Sequence, residues 1–353
     1  MPAFPPRRFA RRISCGTARS PGSLPRRLRR PRLLIVGCGD VGLRLLTLLQ
    51  SRRHALKIIA ITRRADQQQA VRQLGAVPIA ADLDQPASLR RLAAFGDWAV
   101  LLAPPPAHGN DDPRTRRLIA QCARRRGRQF SPFSGKGRSS RPAGSAILVR
   151  PTSVKPRRWT YVSTTGVYGD SAGAWLDESR PPTPASARAQ RRLAAERQLR
   201  ALTARGGARV SIVRAPGIYA HDRLPVDRLR RGTPALRAGD DVWTNHIHAE
   251  DLARAAWFAL FRGRPSRAIN AVDDSALKMG DYFDSVADAL ALPRPPRLSR
   301  AEISAQVTPA MLSFMSESRR LANRRLKREL RLRLRWPTVA DTLHSLSGAG
   351  TPQ

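Results

Sequence analysis

The chain has 353 residues, 41% of them hydrophobic, enough for one large α/β domain or two modest ones with a buried core. Its formal net charge is +38, from 64 Lys and Arg against 26 Asp and Glu. Cys15, Cys38 and Cys122 form no CxxC pair, which excludes a disulfide framework and a zinc site, and no apolar run approaches the roughly 18 residues of a membrane span.

The charge is uneven. Residues 1–30 hold nine arginines and no acid, residues 124–158 hold eleven Lys or Arg and no acid, and residues 319–335 are also strongly basic. Arginine and alanine dominate throughout, which reads as a compositional habit before it reads as a polyanion site. The basic runs lack interleaved aromatics and any nucleic-acid recognition motif, so a nucleic-acid partner is disfavoured. Residues 1–31 read as a disordered Arg-rich tail with no secretory signal, and the protein is expected to be reduced and cytoplasmic.

Order begins at Arg32. RLLIVG is a short apolar strand, and GDVGLRLLTLLQSRR continues as a helix with Val41, Leu45, Leu48 and Leu49 on one face. KIIAIT is a second strand, Asp66–Leu74 a helix, AVPIAAD a third strand, PASLRRLAAF a helix and DWAVLLA a fourth strand. DDPRTRRLIAQCARR is a further helix with Pro113 in its first turn. From 127 to 158 the chain is rich in Gly, Ser, Pro and Arg, an inserted basic loop too long for the interior of a compact domain. RWTYVST is a fifth strand, a helix runs from Pro184 to about Ala204 with Thr183 as its cap, and RVSIVRA is a sixth strand.

Near-continuous apolar strands alternating with helices define an α/β fold, a Rossmann-type doubly wound parallel sheet covered on both faces. This domain spans 32–215. The remainder, 216–345, comprises a helix at 246–261 packed on the core and a small, mainly helical substrate lobe.

GCGDVG at 37–42 fits G-x-G-x-x-G between a strand and a helix. Gly37 serves the tight turn, Gly39 admits a pyrophosphate and Gly42 allows close packing, with Cys38, Asp40 and Val41 completing the cofactor-binding turn. The following helix N-terminus offers unpaired N–H groups to the anion. Where an NAD-binder places an acid after the second strand, this chain has Thr62-Arg63-Arg64. Arg63 and Arg64 suit a 2′-phosphate, so NADP is expected and NAD is second choice. Asp66 is the fallback ribose ligand, and Asp82 meets the adenine edge.

GCGDVG, YVSTTGVYGD (161–170), RAPGIYA (214–220) and HIHAEDLA (246–253) together resemble the extended short-chain dehydrogenase/reductase superfamily, specifically the NAD-dependent epimerase/dehydratase group. The resemblance covers residues 32–345 apart from the insertion. It implies a catalytic Ser/Thr, matched by Thr164, followed by Tyr-x-x-x-Lys on the next helix. Counting back from LAAE, those two positions fall on Arg188 and Arg192. On a helical wheel, Arg188, Arg192, Ala195, Leu199 and Leu202 lie within about 80°. The arginines therefore point toward the strands' C-terminal edge, while Arg191, Arg197 and Arg200 lie off that stripe and are expected to be solvated.

Arginine does not deprotonate in a protein, so neither Arg188 nor Arg192 replaces the Tyr proton relay. Each holds a phosphate, a carboxylate or a developing oxyanion, or contacts the cofactor. Tyr168, Tyr219 and His221 are the substitutes available. His246 and His248 read as structural, with Asp251 bonding nearby backbone. Thr244 stands where nucleotide-sugar enzymes of the family often have Arg, which weakens that substrate class. The readings are an atypical NADP(H)-dependent oxidoreductase, epimerase or dehydratase acting on a small-molecule carbonyl or hydroxyl substrate, or a non-catalytic NADP(H) sensor or scaffold. The resemblance further implies a homodimer.

Overall fold

The computed structural model describes residues 30–52, 55–94, 97–127 and 157–347. The expected tail and nearly all of the expected insertion lie outside these residues. The strands of the central sheet are β1 (Arg32–Val36), β2 (Lys57–Thr62), β3 (Val77–Ala80), β4 (Trp98–Leu101), β5 (Arg158–Thr164), β6 (Arg209–Ala215) and a seventh at Ala268–Asn270. All are parallel, in the order seventh-β6-β5-β4-β1-β2-β3. Six of the seven were legible as apolar runs. The seventh, three residues reading AIN, was not, because pairing with β6 and not sequence length makes it a strand.

The alternation of side chains explains why the strands read as continuous apolar runs. Leu33 and Ile35 of β1 and Ile58 and Ala60 of β2 enter one core, and Leu34, Val36, Ile59 and Ile61 enter the other. The first core is covered by α1 (Asp40–Leu49) and by a helix at Ala249–Arg262. The second is covered by a 3₁₀ helix at Pro86–Ala94, by α3 (Pro113–Gly127) and by α4 (Ala187–Ala204), while the short α2 (Ala65–Gln73) joins β2 to β3. The helix expected over PASLRRLAAF is of the 3₁₀ type, at Pro86–Ala94.

Beyond β6 the chain forms a short parallel pair, β7 (Gly217–Tyr219) with β8 (His246–His248), before the seventh strand, β9. The helix between β8 and β9, α5 (Ala249–Arg262), is alanine-rich on its buried face and so packs close to the sheet. Asp251, fully buried, accepts the backbone N–H groups of Arg335 and Trp336 at 2.9–3.0 Å and so anchors the C-terminal segment on the core. The last part carries α6 (Met279–Ala289) and α7 (Val339–Ser347), packed together around Phe283, Val286 and Leu343. Among the described residues no helix is long and apolar enough to cross a membrane.

Candidate functional site

The turn between β1 and α1 is fixed by backbone geometry. Gly37 has φ +86°, and a Cβ there would lie 2.5 Å from the backbone of Ala103, which follows β4. Gly42 approaches the Cys38 Sγ so closely that a Cβ would sit at 3.1 Å. Gly39, by contrast, faces open space, with nothing within 4 Å of a Cβ. It is the N-cap of α1 and supplies no capping side chain, so the first-turn N–H groups stay available on that side. Cys38 is 1% exposed, and burial pushes its thiol up to about 12. It is a packing residue, and Val41 packs beside it against the first core.

Asp40 opens α1 with its carboxylate engaged. It accepts from Arg44 at 2.9 Å and from Arg223 at 3.0 Å, and Arg44 also reaches Asp222 at 2.5 Å. This network joins the loop after β7 to the glycine-rich turn. Its members lie about 180 residues apart in sequence and carried no local signal.

At the end of β2 the Thr62 hydroxyl donates to Gln67 and accepts from the Arg64 backbone N–H. Arg63 and Arg64 are both exposed. Arg63 lies 3.7 Å from Asp82, whereas Arg64 is forked onto Asp66 at 2.5–3.0 Å. That fork, opposed by slight desolvation, holds the Asp66 carboxyl below its usual range. The fallback ribose ligand is therefore already paired. Asp82 also caps its own turn by accepting from the Asp84 backbone N–H. Nearby, Arg114 spans Asp84 and the carbonyls of Pro104 and Pro105 and borders a small cavity of mixed lining, with Val36, Leu101, Ala103 and Tyr161 beside Asp112 and Thr115.

Thr164 ends β5, half-buried, and its Oγ1 accepts from the Gly166 backbone N–H at 3.2 Å. The helix that follows is capped by Ser186, which accepts from the Ala189 N–H, and starts at Ala187. Thr183 is not the cap: its hydroxyl donates to the Tyr168 carbonyl at 2.6 Å and closes the GVYG turn instead.

Three arginines of α4 have different fates. Arg192 is 7% exposed, and its Nη1 donates to the carbonyls of Ala103 and Val162 and to the Tyr161 hydroxyl at 3.1–3.2 Å. It is turned inward, as the helical stripe implied, but these donors are spent on the protein's own acceptors. Arg188 is exposed and has no ion-pair partner among the described residues. Partial desolvation and then the charges of Arg192 and Arg191 lower its pKa, as for a cation short of counter-charge. Arg191, expected to be solvated, is instead 8% exposed and donates to the Gly109 carbonyl at 2.6 Å, holding the loop after β4 against α4.

The substitute proton carriers are engaged with partners other than Thr164 or are buried. Tyr168 is fully buried and donates to Asn270 Oδ1 at 2.8 Å. Tyr219 is 1% exposed, and burial raises its pKa strongly. His246 and His248 are buried in β8, and burial lowers both to about 4. The His248 ring accepts from the Glu250 N–H as the cap of α5. His221 pairs with Ser345 at 2.8 Å and sits edge-on to Trp336. No group of three His, Cys, Asp or Glu among the described residues is arranged to hold a metal.

A seven-stranded parallel sheet with a glycine-floored turn at the C-terminal end of its first strand defines a Rossmann-type dinucleotide fold. Residues 146–271 match the model of the NAD dependent epimerase/dehydratase family. Among solved structures, the chain is similar to a functionally unknown conserved protein from Silicibacter pomeroyi, with 28% identity and TM-score 0.69 over 90% of this chain and 99% of that one. It is also similar to the dTDP-glucose 4,6-dehydratase of Bacillus anthracis in complex with NAD, with 14% identity and TM-score 0.66 over 90% of this chain and 96% of the other. A nucleoside-diphosphate-sugar epimerase from Pseudomonas aeruginosa, at 18% identity and TM-score 0.66, covers 91% of this chain and 97% of its own. No curated protein matches. Residues 146–271 thus resemble the NAD-dependent epimerase/dehydratase family, and the chain shares its fold with solved epimerases and dehydratases.

Proposed function

We propose that the protein binds NADP(H) and acts on a small carbonyl or hydroxyl substrate as an oxidoreductase, epimerase or dehydratase that works without a Tyr-x-x-x-Lys pair. The observation that carries the reading is the open space at Gly39 beside an uncapped helix N-terminus, with Arg63 and Arg64 exposed at the end of the neighbouring strand. Those residues fit the coenzyme: Gly39 and the first turn of α1 would take the pyrophosphate, Arg63 and Arg64 a 2′-phosphate, and Asp82 the adenine edge. A bound nicotinamide supplies hydride exchange with a carbon atom. The Thr164 hydroxyl orients the substrate oxygen, Arg188 holds an anionic substituent or the developing oxyanion, and water carries the proton that arginine does not.

The test is a titration with both coenzymes. Gly39→Asp fills the cradle with a carboxylate and should abolish NADPH binding, and Arg63→Asp should shift preference toward NADH. Unchanged tight NADPH binding in both variants would sink the assignment. Turnover in a carbonyl panel that disappears with Thr164→Val supports the enzyme.

A second reading, a non-catalytic NADP(H) sensor or scaffold, is favoured by the engagement of these side chains within the fold: Arg192 spends its Nη1 inside the protein, and Tyr168 and Tyr219 are buried. Micromolar coenzyme binding with no turnover across the panel selects it. Either reading carries a reduced, cytoplasmic setting and a homodimer, which sedimentation of the purified chain tests.

A further inference from the structure

A cavity of about 280 Å³ opens on the α4 face of the sheet and shares no residue with the glycine-rich turn, Thr164 or Arg188. Its size falls just under the roughly 300–1,000 Å³ of drug-sized ligand sites and so suits a smaller molecule. The loop between β5 and α4 forms one wall, through Arg180, Pro181 and Pro182, and α4 forms the other, through Leu193, Arg197 and Arg200. Two carboxylates line it, and both are satisfied from within the protein. Glu196, fully buried, is forked by Arg214 at 2.8 and 3.1 Å, with Arg200 at 3.5 Å. Glu178 accepts the Asn270 backbone N–H at 2.8 Å and lies 3.3 Å from Arg325.

The positive charges do not balance in the same way. Arg180 and Arg197 are exposed, and neither has an ion-pair partner among the described residues. The cavity therefore presents two uncompensated guanidiniums above a neutralised floor, beside an apolar wall of Pro181, Pro182 and Leu193. Planar guanidinium forks match phosphate oxygens in a bidentate fashion, and two of them match a dianion in charge. We propose that this cavity binds a small organic phosphate monoester, with Arg180 and Arg197 holding the phosphate and the prolines and Leu193 covering the organic body. This site stands apart from the coenzyme reading and does not rest on it.

The probe is phenyl phosphate, titrated calorimetrically into the full-length chain at physiological ionic strength, with inorganic phosphate and phenol as its two halves. Phenyl phosphate is expected to bind more tightly than either. The paired substitution Arg180→Gln/Arg197→Gln should weaken it by about tenfold or more. Because both side chains are exposed and unpaired, thermal unfolding and NADPH affinity should not change. A control pair, Arg230→Gln/Arg231→Gln, removes the same charge from another exposed site and should leave phenyl phosphate affinity intact. Equal loss in the control pair, unchanged affinity in the Arg180/Arg197 pair, or no heat with phenyl phosphate would each overturn the proposal.

Discussion

Arg192 donates to the Tyr161 hydroxyl at 3.1 Å, with its guanidinium carbon 5.6 Å from the centre of that ring. Two neighbouring β-strands and one helix are tied at this point, since the same nitrogen also bonds the carbonyls of Ala103 and Val162. Burial pushes the Tyr161 phenol up to about 12 against the opposing pull of Arg192, so the phenol stays neutral and accepts this bond. Arg192→Met removes the shared donor and leaves buried acceptors unmet. Stability should fall by about 1–3 kcal/mol in chemical denaturation. A variant as stable as the parent would mean that these bonds contribute nothing.

Gly37→Ala tests the turn itself. The left-handed backbone alone costs an L-residue about 1–2 kcal/mol, and the added methyl meets the Ala103 backbone and not a movable side chain. The variant should unfold at lower denaturant and bind NADPH more weakly. Gly39→Ala has room and should retain stability.

Glu196 and Arg214 form a buried pair at 0% and 2% side-chain exposure. Burial works against the Arg214 charge, but the fork from Glu196 outweighs it and raises the Arg214 pKa. Glu196→Gln strands a buried guanidinium and should cost about 3–5 kcal/mol, read as a shift of the denaturation midpoint at unchanged slope.

Asp273 is 4% exposed, and desolvation raises its carboxyl to about 7, partly opposed by the Ser275 backbone N–H. Tyr219 and Tyr282 are neighbours, and Asp274 adds like charge. A raised acid binds its proton more tightly when folded, so its contribution to stability is present below about pH 4 and is lost as pH rises to about 7. His246 and His248 act with the opposite sign. Lowered to about 4, they stay neutral in the fold, so stability falls as pH drops from about 6.5 toward 4. Asp273→Asn removes only the first effect. The variant should be more stable than the parent at about pH 8, with a smaller advantage at about pH 5, in denaturation curves measured at both. A pH-independent difference would contradict the assignment to this carboxyl.

The fold was largely legible because its signals are local. Both faces of the sheet are covered, so RLLIV, KIIAIT and RVSIVRA carry no polar alternation to hide them, and a glycine that needs positive φ is written into GCGDVG. The proposal that Thr164, Arg188 and Arg192 line the site rests on motif spacing alone. The cap of α4 was misplaced at Thr183 because Thr-Pro resembles a helix start, whereas Ser186 wins by bonding the Ala189 N–H.

What the sequence alone determined was the alternation of strand and helix and the glycine turn, both set by neighbours a few positions apart. Which arginines are spent and which are free was decided only in three dimensions. Arg191 and Arg192 are buried because carbonyls of Gly109, Ala103 and Val162, more than 25 residues distant, come within their reach, while Arg188, one turn earlier, finds no such acceptor among the described residues. A guanidinium needs acceptors wherever it is desolvated, and their supply belongs to the folded loops rather than to the helix that carries the arginine.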